Sequence, residues 1–285
     1  MTPQPLTLAR LPYAVERAAG ATIGNTGYML GGLVAGDRSI SIILAVDLTN
    51  GAARRIGTLP VGAHDAAAVP YGSDVLLFGG SDPVGTLVQR FDPSTGRVAT
   101  VGHLPRVLSD LDAVSIGGTV YVVGGYDGTR ARAEVLAATN GRDFKVLATL
   151  PAGLRYAAAA AAGSNLIIAG GQTQSAPASR SIYVVDTASG SVHRLATLPV
   201  SVAHAVLLIR GDSAFLIGGR DSAGRPSARV WRITISTGAV SASTPLAIPL
   251  ADPTLLTDGT RAILAGGATG DASTGGETDM EILFT

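Results

Sequence analysis

The chain has no cysteine, a single lysine (Lys145) and few aromatic side chains, 5% of its 285 residues. Without cysteine it can hold no disulfide framework, no thiolate zinc site and no thiol nucleophile. Charge is scarce as well: 15% of residues are charged, 21 basic against 21 acidic, and the formal net charge is zero. That balance leaves no electrostatic footprint for nucleic acid or an anionic membrane surface. No run approaches the roughly 20 apolar residues that span a bilayer, and the Met-Thr-Pro-Gln start lacks a basic, apolar signal segment. What the chain does hold is 46% hydrophobic residues and 37 glycines. This is too apolar for disorder and ample for a sizeable core.

The glycines are periodic. Gly-Gly pairs begin at 31, 79, 124, 170, 218 and 266, at spacings of 48, 45, 46, 48 and 48, and another glycine stands seven residues before each. Between the two marks lies a short apolar run, such as VLLF or VYVV. This reads as a strand entered through a glycine turn and left through Gly-Gly. Upstream lies a small-residue run, Ala157–Ala162 in one repeat. Alone it would favour helix, but in the next repeat its register is occupied by the strand-like VLLI at 206–209. The run is therefore expected to be a strand, the innermost of its sheet. A third strand follows, as in 87–92 and 181–186, and then a turn at Asp47, Asp92 or Asp186, each four residues before a glycine. A fourth strand is expected to run to Leu-Pro, where proline ends the ladder.

Four antiparallel strands repeated six times describe an all-β, six-bladed β-propeller. The chain starts with a fourth strand (about 5–10) and ends in a third (280–284), so the ring should close by the N-terminal strand pairing into the last, C-terminal blade. Residues 1–285 then form a single propeller domain with none left for a second. The pattern VYVVGGYDG at 120–128, followed by a third strand and a strand ending Leu-Pro, resembles the kelch repeat across the whole chain. It departs from that family in lacking a fourth-strand tryptophan, since the one tryptophan, Trp231, falls in a third strand. Kelch propellers serve as protein-binding platforms, enzymes and sensors, so the resemblance implies a fold and no single activity.

Counting back 14 residues from each Gly-Gly gives Arg17, Asp65, Asp110, Tyr156, His204 and Asp252. With no insertion at that offset, the six should ring one mouth of the central channel, a position that kelch proteins with ligands commonly use. Glu16, His64, Ser109 and Arg155 stand one residue earlier, and the loops after Gly-Gly bring Asp82, Tyr126, Asp127, Gln172, Arg220 and Asp221 to the same face. Asp112 should point the same way as Asp110, deeper in the channel, and be the only charge at its level, with Arg, His or ordered water against it. Neighbouring Asp65 and Asp110 would not ionise together freely, so they could share a proton or a divalent cation. No short His/Asp spacing marks a metal site, and His64 and His204 read as loop histidines. Arg17 and Arg155 could meet a carboxylate.

These residues point to a binding or sensor module that recognises a small polar or anionic molecule, or a charged protein loop, at the channel mouth, with no resident cofactor. The alternative is an isomerase or lyase acting on a sugar-acid-like substrate, with Asp65, Asp110, Asp112 or His204 as acid and base. A third reading is a structural scaffold bound through apolar patches. The sequence favours binding over catalysis, a monomer, and the extracytoplasmic part of a bacterial protein.

Overall fold

A computed structural model describes residues 6–81, 83–270 and 277–284. Pro5 and Asp82, both included in the expectations above, lie outside the described residues. The fold is an all-β propeller built of four-stranded antiparallel blades. Among the described residues the strands pair into six four-stranded antiparallel sheets, together with an unforeseen ribbon pairing Leu33–Val34 with Arg38–Ser39. Five of the sheets take their strands in chain order. The other is composite, running Leu6–Val15, Glu277–Phe284, Ala262–Ala265, Thr254–Thr257 from its outer to its inner edge.

The inner strands are Ala19–Ile23, Ala67–Tyr71, Asp112–Ile116, Ala158–Ala162, Val206–Arg210 and Thr254–Thr257. The alanine run is thus a strand, because small side chains suit the place where the sheets converge. Second strands such as Asp74–Phe78 are buried along their whole length, which explains their unbroken apolar runs. The core lies between facing sheets. In one such layer Tyr28, Leu30 and Ile43 meet Val75, Leu77 and Phe91, with Tyr28 and Phe91 edge to face at 6.0 Å. Burying a side chain such as Phe91 contributes about 1.5–3 kcal/mol.

The Gly-Gly pairs join one blade to the next. A side chain at Gly124 would place its Cβ 2.3 Å from the carbonyl oxygen of Leu154, while the amide of Gly125 donates to that same oxygen at 2.8 Å. Equivalent bonds recur at each pair, the last from Gly267 to Val15 at 2.9 Å. The turn aspartates behave as read: Asp92 Oδ1 accepts from the amides of Ser94 and Thr95, and Asp47 and Asp186 make matching turns.

One expectation fails at two fourth strands. Pro12 and Pro199 lie inside Leu6–Val15 and Val192–Val202 rather than ending them. Both fall where the pairing register breaks, between Arg10 and Val15 and between Ser179 and Ser181. A bulge on an edge strand needs no amide from proline.

Candidate functional site

Each residue expected in the ring lies in the loop two residues before an inner strand, and all six have left-handed backbone: Arg17 (φ 56°), Asp65 (55°), Asp110 (58°), Tyr156 (52°), His204 (59°) and Asp252 (55°). The fold requires this conformation, because it lets each amide reach the preceding ring residue's carbonyl. The amide of Asp65 donates to Arg17, Asp110 to Asp65, Tyr156 to Asp110, His204 to Tyr156, Asp252 to His204 and Arg17 to Asp252, at 2.8–3.3 Å. The circle closes on itself. Glycine would adopt this backbone with least strain, yet every position carries a polar or charged side chain.

Those side chains form one buried network. His204 stacks on Tyr156 with ring centroids 3.8 Å apart. Its Nδ1 donates to Asp252 Oδ1 at 2.6 Å, and its Nε2 accepts from the Gln172 amide at 3.1 Å. Arg220 Nε donates to the other Asp252 oxygen at 3.2 Å, and its Nη1 reaches the carbonyls of Gly224 and Gly270. Arg17 lies between two carboxylates, 3.5 Å from Asp65 and 3.7 Å from Asp252. Arg155 sits over the rings of Tyr126 and Tyr156, at 4.3 and 4.8 Å, and its Nη2 lies 2.5 Å from Asp110 Oδ2. Tyr156 donates to Asp65 at 3.3 Å. His64 Nε2 lies 3.5 Å from Asp65, and its Nδ1 meets the hydroxyls of Ser39 and Ser81.

Burial and neighbours move the acids in opposite directions. Burial, followed by the Asp110 charge, holds Asp65 well above the usual carboxylate range despite Arg17. Burial also raises Glu16, with the Asp252 charge adding to it. At Asp252 burial pushes upward too, but His204, Arg17 and Arg220 together outweigh it and the carboxyl is lowered. Burial raises the Tyr156 phenol, keeping it a donor at neutral pH, and lowers His64.

The structure therefore gathers Arg17, Asp65, Asp110, Tyr156, His204, Asp252, Glu16, His64, Arg155, Tyr126 and Arg220 around one mouth; the six ring residues, with Asp112, line a pocket of about 140 Å³ there. Three details sharpen or correct the expectations. His204 lies in the loop between Val192–Val202 and Val206–Arg210, as read, but it is buried and both its nitrogens are engaged. Asp112 meets no Arg or His, since its oxygens accept the amides of Ala113 (2.8 Å) and Ala159 (2.7 Å), the latter on the next inner strand. Asp127 and Asp221 cap their own turns through the amides of Thr129, Arg130, Ala223 and Arg225. Gln172, named only as a loop residue, is the group that covers His204. The arginines occupy the carboxylates on which a shared cation would depend, and among the described residues no three His, Cys, Asp or Glu side chains group to hold a metal.

Fold and ring together define a β-propeller with an ion-paired polar mouth. No protein-family model matches the chain, and no curated protein does. Among solved structures, one described as the structure of YjhT is similar, with a TM-score of 0.81 and 16% identity over 96% of each chain. At that identity the likeness shows the fold alone.

Proposed function

We propose that the chain is a six-bladed propeller of the kelch type, with the composite sheet as its closing blade, and that it binds a small polar or anionic ligand, or a charged loop of a partner, at the ring mouth. The observation that carries this reading is where the unsatisfied polar atoms lie. Seven buried side-chain nitrogen and oxygen atoms find no hydrogen-bond partner among the described residues. Five are at this mouth: Glu16 Oε2, Arg17 Nε, Asp110 Oδ2, Arg155 Nε and Arg220 Nη2. Four of the five still face an opposite charge without an aligned hydrogen bond: Asp110 Oδ2 beside Arg155 Nη2, Arg17 Nε 3.7 Å from Asp252, and Glu16 Oε2 and Arg220 Nη2 3.9 Å from each other. Each such group costs about 1–3 kcal/mol when left unmet, and a ligand carrying both donors and acceptors would recover part of that. The pocket of about 140 Å³ compares with roughly 30 Å³ per water, so it takes one polar group of a ligand while the remainder rests on the rim.

The isomerase or lyase reading draws on one observation, the upward push that burial and the neighbouring Asp110 charge give the Asp65 carboxyl. His204 supports it poorly, because neither of its nitrogens is free to exchange a proton with a substrate. Among the described residues four large apolar side chains are exposed, Val61, Val107, Val146 and Ile248, and scattered exposure of this kind favours a scaffold little.

The test is a thermal-shift screen of sugar acids, neutral sugars, nucleosides and divalent cations. A ligand at a hundredfold excess over its dissociation constant stabilises by about 2.7 kcal/mol. Arg155→Ala should abolish the shift, and the partial exposure of Arg155 (28%) makes it a gentler variant than Arg17 or His204, whose loss would disturb the buried network. A shift that survives in Arg155→Ala would move the site away from the mouth.

A further inference from the structure

Below the ring lies a second cavity of about 360 Å³, formed by the inner strands and reaching to Thr22, Pro70 and Thr257 near their far ends. Its walls are largely alanine, with Val114, Leu207 and Leu255 among the larger side chains, and Asp112 is the only charged residue that lines it. Each inner strand is the last in its sheet and pairs on one side only. Its other edge therefore turns backbone amides and carbonyls towards the axis, and the bond from the Ala159 amide to Asp112 Oδ2 is one such edge amide put to use. Asp112 accepts one amide on each oxygen, although a carboxylate offers about four lone-pair sites. It faces the cavity with no Arg, Lys or His lining it.

We propose that this channel is a binding site for a small primary ammonium ion, whose charged head pairs with Asp112 and the inner-strand carbonyls while its alkyl chain lies against the alanines. An ammonium has three donors and no acceptor, which matches a carboxylate with unused lone pairs in a channel whose wall is strand edge. A short chain suits walls of methyl groups. The channel continues from the ring mouth, and Asp112 lines both, whereas the alanine walls lie mostly below the ring and Arg155 lines neither cavity. Without a partner the carboxyl is pushed up to about 7 by burial, against the two amide hydrogen bonds that favour its ionised form. The flanking inner strands add only Tyr71, and the mouth above adds Arg17, Asp65, Asp110, Tyr156, His204 and Asp252.

Isothermal titration with n-butylammonium, and with n-butanol as its uncharged match, tests the site. Butylammonium should bind at least tenfold tighter than butanol. Its affinity should rise with pH up to about 7 and then level off, because the carboxylate must be ionised while the amine stays charged, with a reference pKa of about 10.4. Asp112→Asn should cost at least tenfold, and so should Ala160→Leu, which fills the channel without touching the acid. Arg155→Ala should bind as the wild type does. Equal affinity for butanol, unchanged binding in Asp112→Asn, loss of binding in Arg155→Ala, or no binding by a folded wild-type protein would each overturn the proposal.

Discussion

Asp252→Asn tests the ring's electrostatics most directly. Asparagine has the same shape and tolerates the left-handed backbone that Asp252 adopts at φ 55°. The substitution therefore removes charge while adding little backbone strain. The wild-type carboxylate holds His204 at 2.6 Å and Arg220 at 3.2 Å, with Arg17 3.7 Å away, and all of these side chains are largely buried. Removing one partner from a buried charge network leaves the other charges uncompensated and costs about 3–5 kcal/mol. At a urea slope of about 3 kcal/mol/M this is a midpoint shift of about 1–1.7 M. The control is Arg225→Ala, which breaks the exposed pair with Asp221, where Arg225 is 76% exposed. Such a pair is worth about 0–1 kcal/mol. The difference should also depend on pH. The lowered folded-state pKa of Asp252 means that its stabilisation is complete above the unfolded value, about 3.9, and is lost as pH falls through the folded one. The gap between wild type and Asp252→Asn should thus be flat above pH 4 and narrow below it. A gap no larger than that of Arg225→Ala at pH 7 would refute the account of a buried network.

Asp112 should act with the opposite sign. Its raised folded-state pKa, about 7, means that the folded protein holds a proton the unfolded chain has released. Stability contributed by this group should therefore fall as pH rises from about 4 to 7, by up to about 4 kcal/mol. Asp112→Asn should flatten that slope in urea titrations run across the range, and an unchanged slope would assign it to other groups. Two glycine substitutions separate backbone strain from collision. Gly117 and Gly124 have φ of 58° and 59°, but a Cβ at Gly117 meets nothing within 4 Å whereas one at Gly124 meets the Leu154 carbonyl oxygen at 2.3 Å. Gly117→Ala should cost about 1 kcal/mol. Gly124→Ala should cost several times more by thermal or urea unfolding, and equal costs would contradict the close approach of neighbouring blades.

The sequence alone determined the architecture, because a propeller is a local motif repeated in phase. A constant offset from Gly-Gly was enough to pick out all six ring residues, since no insertion disturbs the count. The same register overruled helix propensity at Ala158–Ala162. Tertiary structure decided what those residues do. The left-handed backbone at every ring position accompanies a closed circle of amide bonds, five between residues 45–48 apart and the last joining Arg17 to Asp252 across nearly the whole chain, for which no local sequence rule exists. Whether a histidine is free or locked depends on Gln172 and Asp252, which reach His204 from 32 and 48 residues away. Whether Asp112 meets an arginine or an amide depends on how closely two inner strands approach the axis. Periodicity assigns each residue to a face and a level. Partners across blades are set by the packing of the closed ring, and that packing determines which charges are neutralised and which are not.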